Sequence, residues 1–400
     1  MSFFMALLTW TAWGAAGFWL LCLAHTALGA VFIRTMAPLP PSDPSAGARP
    51  GPGSGGPEPR VSIIFAYRDE IDGITDACRS MLEQDHGTLE VIAVDDRSSD
   101  GSGRALDALA SNPRLKRIAV KDLPPNWLGK NHALQLGADL ASGDWLLFTD
   151  ADVVFSPDTV RRALLTARTS RCDHLALLPR VVLDGPIERL FYRTFGTLFA
   201  VRFQPWASRF RRIYGFAGVG AFNMIRREAY RAIGEHRAIA IEVADDVMLA
   251  KRVKDQGMRL MLGSGEDAVS VRWFVGLAGM LRSIHKNAFR GFNYRMDLAA
   301  AGAAALVICA LAPPLYLAFS GGAPGAWMAA GLGAAAMVLL QFGFGRRPVE
   351  NLLLGLLMPA GMILVAAAVF GSAWGAWRRQ AVVWRGTAYP LDLLKKCPPL

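Results

Sequence analysis

The sequence predicts an α/β domain built on a mostly parallel sheet and set between membrane-spanning helices at its two ends. Three observations carry this. Short apolar segments alternate with helical patterns through the middle of the chain, as expected for strands joined by crossover helices. Acidic residues follow several of those segments directly, where ligands sit in such sheets. Charge nearly vanishes at both ends. Phe3 to Phe32 holds no Lys, Arg, Asp or Glu, and from Leu298 to Arg378 only Arg346, Arg347 and Glu350 interrupt the apolar sequence. With 52% hydrophobic and only 19% charged residues, a purely water-soluble chain is excluded.

Residues 1–34 read as an anchor. The apolar stretch is long enough to span a bilayer, lacks the basic start of a cleaved leader, and is followed by Arg34. The positive-inside rule then puts the amino terminus outside and the following chain in the cytoplasm. Residues 35–59, with "APLPPSDPSAGARPGPGSGGPEP", are too rich in Pro, Gly and Ser to pack a core and read as a flexible linker. The water-facing domain is expected over 60–296. Its strands are Val61–Ala66, Glu90–Asp95, Lys116–Val120, Trp145–Thr149 and His174–Pro179. Helical patterns lie near Ile71–Glu83, Ser102–Leu109, Asn131–Leu140 and Pro157–Thr169.

Residues 297–377 hold three further apolar segments, near Leu298–Phe319, Ala323–Phe344 and Leu352–Phe370. One anchor plus three spans leaves the tail, 378–400, outside. Its Arg378, Arg379, Arg385, Lys395 and Lys396 argue for inside. Either the "LLMPAGM" segment is re-entrant or the charge rule fails. The net charge of +10 fits an anionic membrane surface and a phosphorylated substrate better than nucleic acid, because the basic residues lie near the membrane segments. Five scattered cysteines give neither a disulfide framework nor a metal site.

The chemistry concentrates in a few motifs. "TDAD" ends the fourth strand. Asp150 and Asp152 are two apart, so on a strand both face one side, where they would hold a hard divalent cation, Mg²⁺ or Mn²⁺; a solvated loop is the plain alternative. In "VDDRSSDGSG", Asp96 follows the second strand and is placed to bind a nucleotide, while Ser98, Ser99 or Asp100 caps a helix. No third glycine follows, so this is not a dinucleotide fingerprint. In "PPNWLGKNHAL", Lys130 opens a helix, an unfavourable place for a cation unless it faces a phosphate or the metal-site acids. Asp245 and Asp246 begin another helix. The dipole favours them there, and a general base is the functional reading. Gly218 and Gly220 let a ligand approach the backbone, or simply turn it. Ile187–Phe216 mixes Arg with aromatics and reads equally as an interfacial helix pair or as a core helix with a basic outer face.

Taken in order, "AYRDE", "VDDRSSD", "GK", "TDAD", "GVGAFNMIRRE" and "ADDVMLAKRVKDQG" resemble a family 2 glycosyltransferase with a GT-A domain, Rossmann-like in its sheet. "PPNWLGKNHAL", "DDVMLAKRVK" and "KNAFRGFNY" look most like the hopanoid-associated, carotenoid and ceramide glycosyltransferases of bacterial membranes. The resemblance covers about Arg60 to Arg295 and the anchors.

It implies a hexosyltransferase that uses a nucleotide sugar, a UDP-sugar first of all, and inverts the anomeric centre. Asp246 would be the base, and Asp150 with Asp152 would hold the metal. Tyr67, Arg68, Glu70, Asp96, Lys130 and Asp150 would contact the donor. Gly218, Gly220, Asp245 and Arg290 would contact acceptor or phosphate. The acceptor would be a lipid or isoprenoid hydroxyl, and the place the inner (plasma) membrane, with the catalytic domain cytoplasmic. One departure counts. Polymer synthases and ceramide glucosyltransferases carry Gln/Arg-x-x-Arg-Trp before the next membrane helix, and here Arg290 has no Trp after it. A processive polysaccharide synthase is therefore the second expectation, and a non-catalytic nucleotide-binding membrane protein the third.

Overall fold

The computed structural model describes residues 2–38, 58–210, 214–273, 276–345 and 347–400. Most of the expected linker, residues 39–57, lies outside them. Two compact units are present. A sheet unit comprises Ile33–Val182 and Pro205–Arg272, and a helical unit comprises Met1–Phe32, Leu183–Gln204 and Trp273–Pro399. The sheet unit therefore differs from the continuous 60–296 block that the charge pattern suggests. It gives up Leu183–Gln204 and the chain from Trp273, and it gains the segment after the first helix.

The strands are β1 (Arg34–Thr35), β2 (Val61–Tyr67), β3 (Leu89–Asp95), β4 (Leu115–Ala119), β5 (Trp145–Asp150), β6 (Val153–Phe155), β7 (His174–Leu178), β8 (Arg180–Val181), β9 (Asn223–Arg226), β10 (Leu260–Ser264) and β11 (Val269–Val271). Eight form the main sheet in the order β1-β10-β7-β9-β5-β2-β3-β4. Every pairing is parallel except the two made by β9. β2 and β3 are buried along almost their whole length, because helices cover both faces of a parallel sheet; hence the apolar runs without alternation. Thr35 and Met36, assigned to the linker by composition, belong to the sheet. Met36 is fully buried and its N–H donates to the Ser264 carbonyl at 3.0 Å.

Register aligns the carboxyl ends. Ala66 pairs with Asp150, and Tyr67 with Asp95. β9 runs the other way, so its amino end, Asn223, lies at that same edge beside Phe148. The helices of this unit are α2 (Ile74–Leu82), α3 (Ser102–Ala105), α4 (Gly129–Leu140), α5 (Thr159–Ser170), α7 (Arg227–Ala232) and α8 (Asp245–Asp255).

The helical unit holds α1 (Ser2–Phe32), α6 (Pro186–Phe203), α9 (Gly276–His285), α10 (Met296–Phe319), α11 (Pro324–Gln341), α12 (Pro348–Leu356), α13 (Met358–Arg379), a hairpin of β12 (Ala381–Trp384) and β13 (Thr387–Pro390), and α14 (Leu391–Leu394). Four helical stretches are long and apolar enough to cross a membrane: Phe3–Gly29, Met296–Phe319, Pro324–Phe344 and Met358–Arg379. The expected segment Leu352–Phe370 is instead cut at Leu357, between α12 and α13.

Packing orders these helices. Leu8 and Ala12 of α1 meet Tyr316 and Ala326, whereas Trp19 meets Ala310, Met337, Leu340 and Met358. α12 turns back along α11, since a Cβ on Gly355 would lie 2.5 Å from the Cα of Val338. The Gln341 side chain donates to the Met358 sulfur at 3.4 Å. After α13, Trp384 lies under the Lys286 ammonium, 4.2 Å from the ring centroid. α6 is neither purely interfacial nor a core helix with a free basic face. Arg193 is buried and donates to Asn351 Oδ1 at 2.8 Å, and Arg189 and Arg193 both reach Glu350 Oε1 at 3.2 Å.

Candidate active site

The site forms where the carboxyl ends of β2, β3 and β5 meet the first turns of α4 and α8. β5 ends at Asp150, and Asp152 lies in the turn that leads into β6. Strand alternation therefore stops short of Asp152, and the expectation that both carboxylates share a strand face is corrected. Thr149 anchors the strand end by donating from Oγ1 to the Ala221 carbonyl at 2.8 Å. This draws the glycine-rich loop under Asp150. A Cβ on Gly220 would lie 2.6 Å from Asp150 Oδ2, and one on Gly218 would lie 1.8 Å from the Asp246 carbonyl oxygen. Both glycines were expected to admit a ligand. What they admit in this structure is the protein's own Asp150 and Asp246, held closer than any side chain would allow.

Lys130 sits at the centre. Its ammonium lies 2.8 Å from Asp150 Oδ1 and 3.3 Å from Asp245 Oδ2. Burial disfavours the charge, but Asp150, Asp245 and Asp246 outweigh it and hold the lysine protonated well above its ordinary range. The awkward cation at a helix start is thus explained by acids rather than by the dipole. Asp246 is affected the other way. Burial and the neighbouring Asp245 push its carboxyl up to about 7, against the opposing pull of Lys130 and of the Val247 N–H, which donates to Oδ1 at 2.8 Å. Three carboxylates face one lysine, so the edge keeps a negative surplus.

Asn131 was not singled out by sequence. It is fully buried, and its amide donates to the carbonyls of Ile239 at 2.8 Å, Ala240 at 3.2 Å and Glu242 at 2.9 Å. That clamp ties the start of α4 to the loop that delivers Asp245 and Asp246. Gly129 was missed too. A Cβ there would stand 2.0 Å from Asp96 Oδ2, so the bare backbone lets Asp96 dock against the residue before Lys130. Asp96 is buried, and its Oδ1 accepts from Arg97 Nε at 2.9 Å.

The remaining expected residues divide. The loop after β2 is locked to the one after β3. Asp69 Oδ1 accepts from the Ser99 N–H at 2.7 Å, the Glu70 N–H donates to Ser102 Oγ at 2.8 Å, and Arg68 lies 4.0 Å from Asp69. Arg68 and Glu70 thus stand at the edge beside Asp96. Tyr67 does not offer its side chain there. It is buried in the sheet's main apolar cluster, where burial and Asp95 push the phenol up to about 12. Its carbonyl accepts the Asp96 N–H at 2.8 Å, so it positions Asp96 through the backbone. Arg290 belongs to the helical unit. There it is fully buried and donates to Asn293 Oδ1 at 2.8 Å and to the Pro398 carbonyl at 2.7 Å. A guanidinium supplied with carbonyl acceptors and lying over the Tyr294 ring is a structural clasp.

Among the described residues no group of three or more His, Cys, Asp or Glu forms a protein-only metal cage. Asp150 at the end of β5 and Asp152 in the turn after it are the carboxylates that would hold a Mg²⁺ or Mn²⁺ whose shell is completed by substrate phosphates and water.

A mostly parallel sheet of this order, with acids at its carboxyl edge, defines an α/β fold of the Rossmann-like kind. The family described as Glycosyl transferase family 2 matches residues 62–234, most of them in the sheet unit. Over 118 residues the chain is 33% identical to the undecaprenyl-phosphate 4-deoxy-4-formamido-L-arabinose transferase of Yersinia pestis, covering 28% of this chain and 34% of that protein. Over 216 residues it is 21% identical to the 4,4'-diaponeurosporenoate glycosyltransferase of Staphylococcus haemolyticus, covering 54% of this chain and 56% of that one. The match thus spans only about a third to just over half of these relatives. In fold the chain is similar to the mannosyltransferase PcManGT from Pyrobaculum calidifontis, in complex with GDP-Man and Mn²⁺. The TM-score is 0.51 at 19% identity, over 91% of this chain and 97% of that one. The GT-A expectation for the sheet is met, and the four apolar helices mark a membrane protein.

Proposed function

We propose that the protein transfers a sugar, with inversion, from a nucleotide sugar, a UDP-sugar first of all, to a hydroxyl of a membrane lipid or isoprenoid. The observation that carries this is the Lys130 cluster: one cation bridging Asp150 and Asp245, beside a carboxyl held near neutrality. Inversion needs one base for the acceptor and charge compensation for the leaving group. Asp246 accepts the proton of the acceptor hydroxyl as its oxygen forms the new bond to the anomeric carbon. The bond from that carbon to the donor's diphosphate breaks, and the nucleoside diphosphate leaves with the electron pair. Asp96 binds the nucleoside portion, with Arg68 and Glu70 beside it. Lys130 fixes Asp150 and keeps Asp246 from titrating still higher. A divalent cation on Asp150 and Asp152, when bound, would supply positive charge for the diphosphate on an edge that is otherwise net negative.

The lipid or isoprenoid nature of the acceptor is supported by the relatives, whose names include an undecaprenyl phosphate and a diaponeurosporenoate, and by the apolar helices. The proposed place is the inner membrane, with the sheet unit on the cytoplasmic side. Packing favours α1, α10 and α11 as full crossings and α12–α13 as a re-entrant pair. Met358 begins α13 beside Gln341, near the end of α11 opposite Ala326, and the chain after α13 returns to Lys286 and Arg290, ahead of α10. This puts Arg34, Arg347 and the five basic tail residues on one side, as the charge rule requires. A labelled nucleotide-sugar panel incubated with membranes containing the protein, followed by mass spectrometry of the lipid extract, tests the function. A new glycolipid that needs a divalent cation is expected. Polymer ladders instead would favour a processive synthase, and tight nucleotide binding with no transfer would favour a binding protein.

A further inference from the structure

The other edge of the same sheet carries a feature that the proposed reaction does not use. At the amino end of β5 a cavity of about 640 Å³ is lined by Trp145 and by Arg168, Arg171, Arg226, Arg227 and Arg231. Three acids share it, Asp144, Asp173 and Glu228. Two of these are committed to backbone: Asp144 Oδ2 accepts from the Arg60 N–H at 2.9 Å, and Asp173 Oδ2 from the Arg259 N–H at 3.0 Å. Among the described residues, none of the five arginines lies within ion-pair distance of a carboxylate.

Arg168 and Arg171 end α5, where the helix dipole accounts for a cation. Arg231 lies likewise in the last turn of α7, but Arg226 at the end of β9 and Arg227 at the start of α7 have no such reason. Arg226 lies over the Trp145 ring, 5.5 Å from its centroid. Arg227 donates from Nε to the Gly143 carbonyl at 2.6 Å, yet its Nη2 is buried with no hydrogen-bond partner. Burial and the nearby Arg231 weaken its hold on the proton, and they outweigh the opposing pull of Glu90 and Asp144. A buried donor left unpaired among like charges is costly unless an anion completes it.

We propose that this arginine cavity binds a phosphate-bearing anion of two or more negative charges, separately from the donor site. Guanidinium groups match phosphate oxygens bidentately, and the volume is that of a small-molecule site. The phosphate can come from a free metabolite or from a lipid headgroup, and the test separates the two.

Purified full-length protein in neutral detergent and metal-depleted buffer is titrated with inorganic diphosphate by calorimetry. Without a divalent cation the acid edge repels the probe, so binding reports the arginine cavity. Saturable binding is expected, weakened at least about tenfold in the double variant Arg171→Glu, Arg231→Glu. Both side chains are exposed, and an unchanged unfolding temperature checks the fold. Displacement of diphosphate by short-chain phosphatidic acid, but not by phosphatidylcholine, identifies a headgroup site. Displacement by soluble phosphate esters alone identifies a metabolite site. Absence of saturable binding in metal-depleted buffer, or equal binding by the folded double variant, overturns the proposal.

Discussion

The carboxyl and amino edges of one sheet are built with opposite charge surpluses. At the carboxyl edge Asp150, Asp245 and Asp246 surround Lys130. At the amino edge five arginines line a cavity whose acids are largely turned to backbone amides. The strand β5 touches both, with Trp145 at one end and Asp150 at the other. An acid edge can take a polyphosphate only together with a cation, whereas a basic edge takes one directly. Like chemistry on the ligand thus demands unlike chemistry on the protein, and the base proposed above belongs to the acid edge.

Variants at the acid edge should therefore stop turnover, and variants at the basic edge should not. The largest effect is expected from Asp246→Asn, with a loss of about a thousandfold or more in kcat while nucleotide binding measured by calorimetry survives. Unchanged turnover would remove Asp246 as base. Asp152→Asn should cost about a hundredfold and raise the Mn²⁺ concentration needed for half-maximal rate; an unaltered metal titration would take Asp152 out of the metal site. Gly220→Ala should cost about tenfold, since its Cβ would sit 2.6 Å from Asp150 Oδ2 and displace that carboxylate from Lys130. Equal rates would mean that the loop yields freely. The smallest effect is expected from Arg171→Glu with Arg231→Glu, with kcat/KM at saturating metal within about twofold of the parent. A loss as large as that of Asp152→Asn would join the two edges into one site.

Legibility in the sequence follows the same physics. β2, β3, β5 and β7 could be read because strands buried on both faces leave apolar runs, and acids just beyond them stand out. β1, β6 and β8 have only two or three residues each, below what any periodicity can register, and β9 merges with the basic "MIRRE" that follows it. In the site, the acids and Lys130 were visible as residue types. The contacts that assemble them were not. Asn131 near a helix start reads as an ordinary polar residue until its three carbonyl partners, 108 to 111 residues away, are seen. Gly218 reads as a turn until it meets the carbonyl of Asp246. Tyr67 and Arg290 show a related limit: both belong to motifs, and their packing partners could not be read from those motifs. The break at Leu357 falls in the "LLMPAGM" segment, where Pro359 and the basic tail beyond it offer a re-entrant turn as one of two readings.

The pH dependence of transfer is the most direct measurement of what the acid edge does. The base must be ionised, so kcat/KM should fall as pH drops through the pKa of Asp246, about 7. Asp245 raises that pKa and Lys130 lowers it. Asp245→Asn should therefore move the acid limb to lower pH, and Lys130→Met should move it to higher pH, in the residual activity of each. Opposite displacements would establish Asp246 as a base tuned by those two neighbours. A limb that stays in place in both variants, or that moves the same way in both, would contradict it.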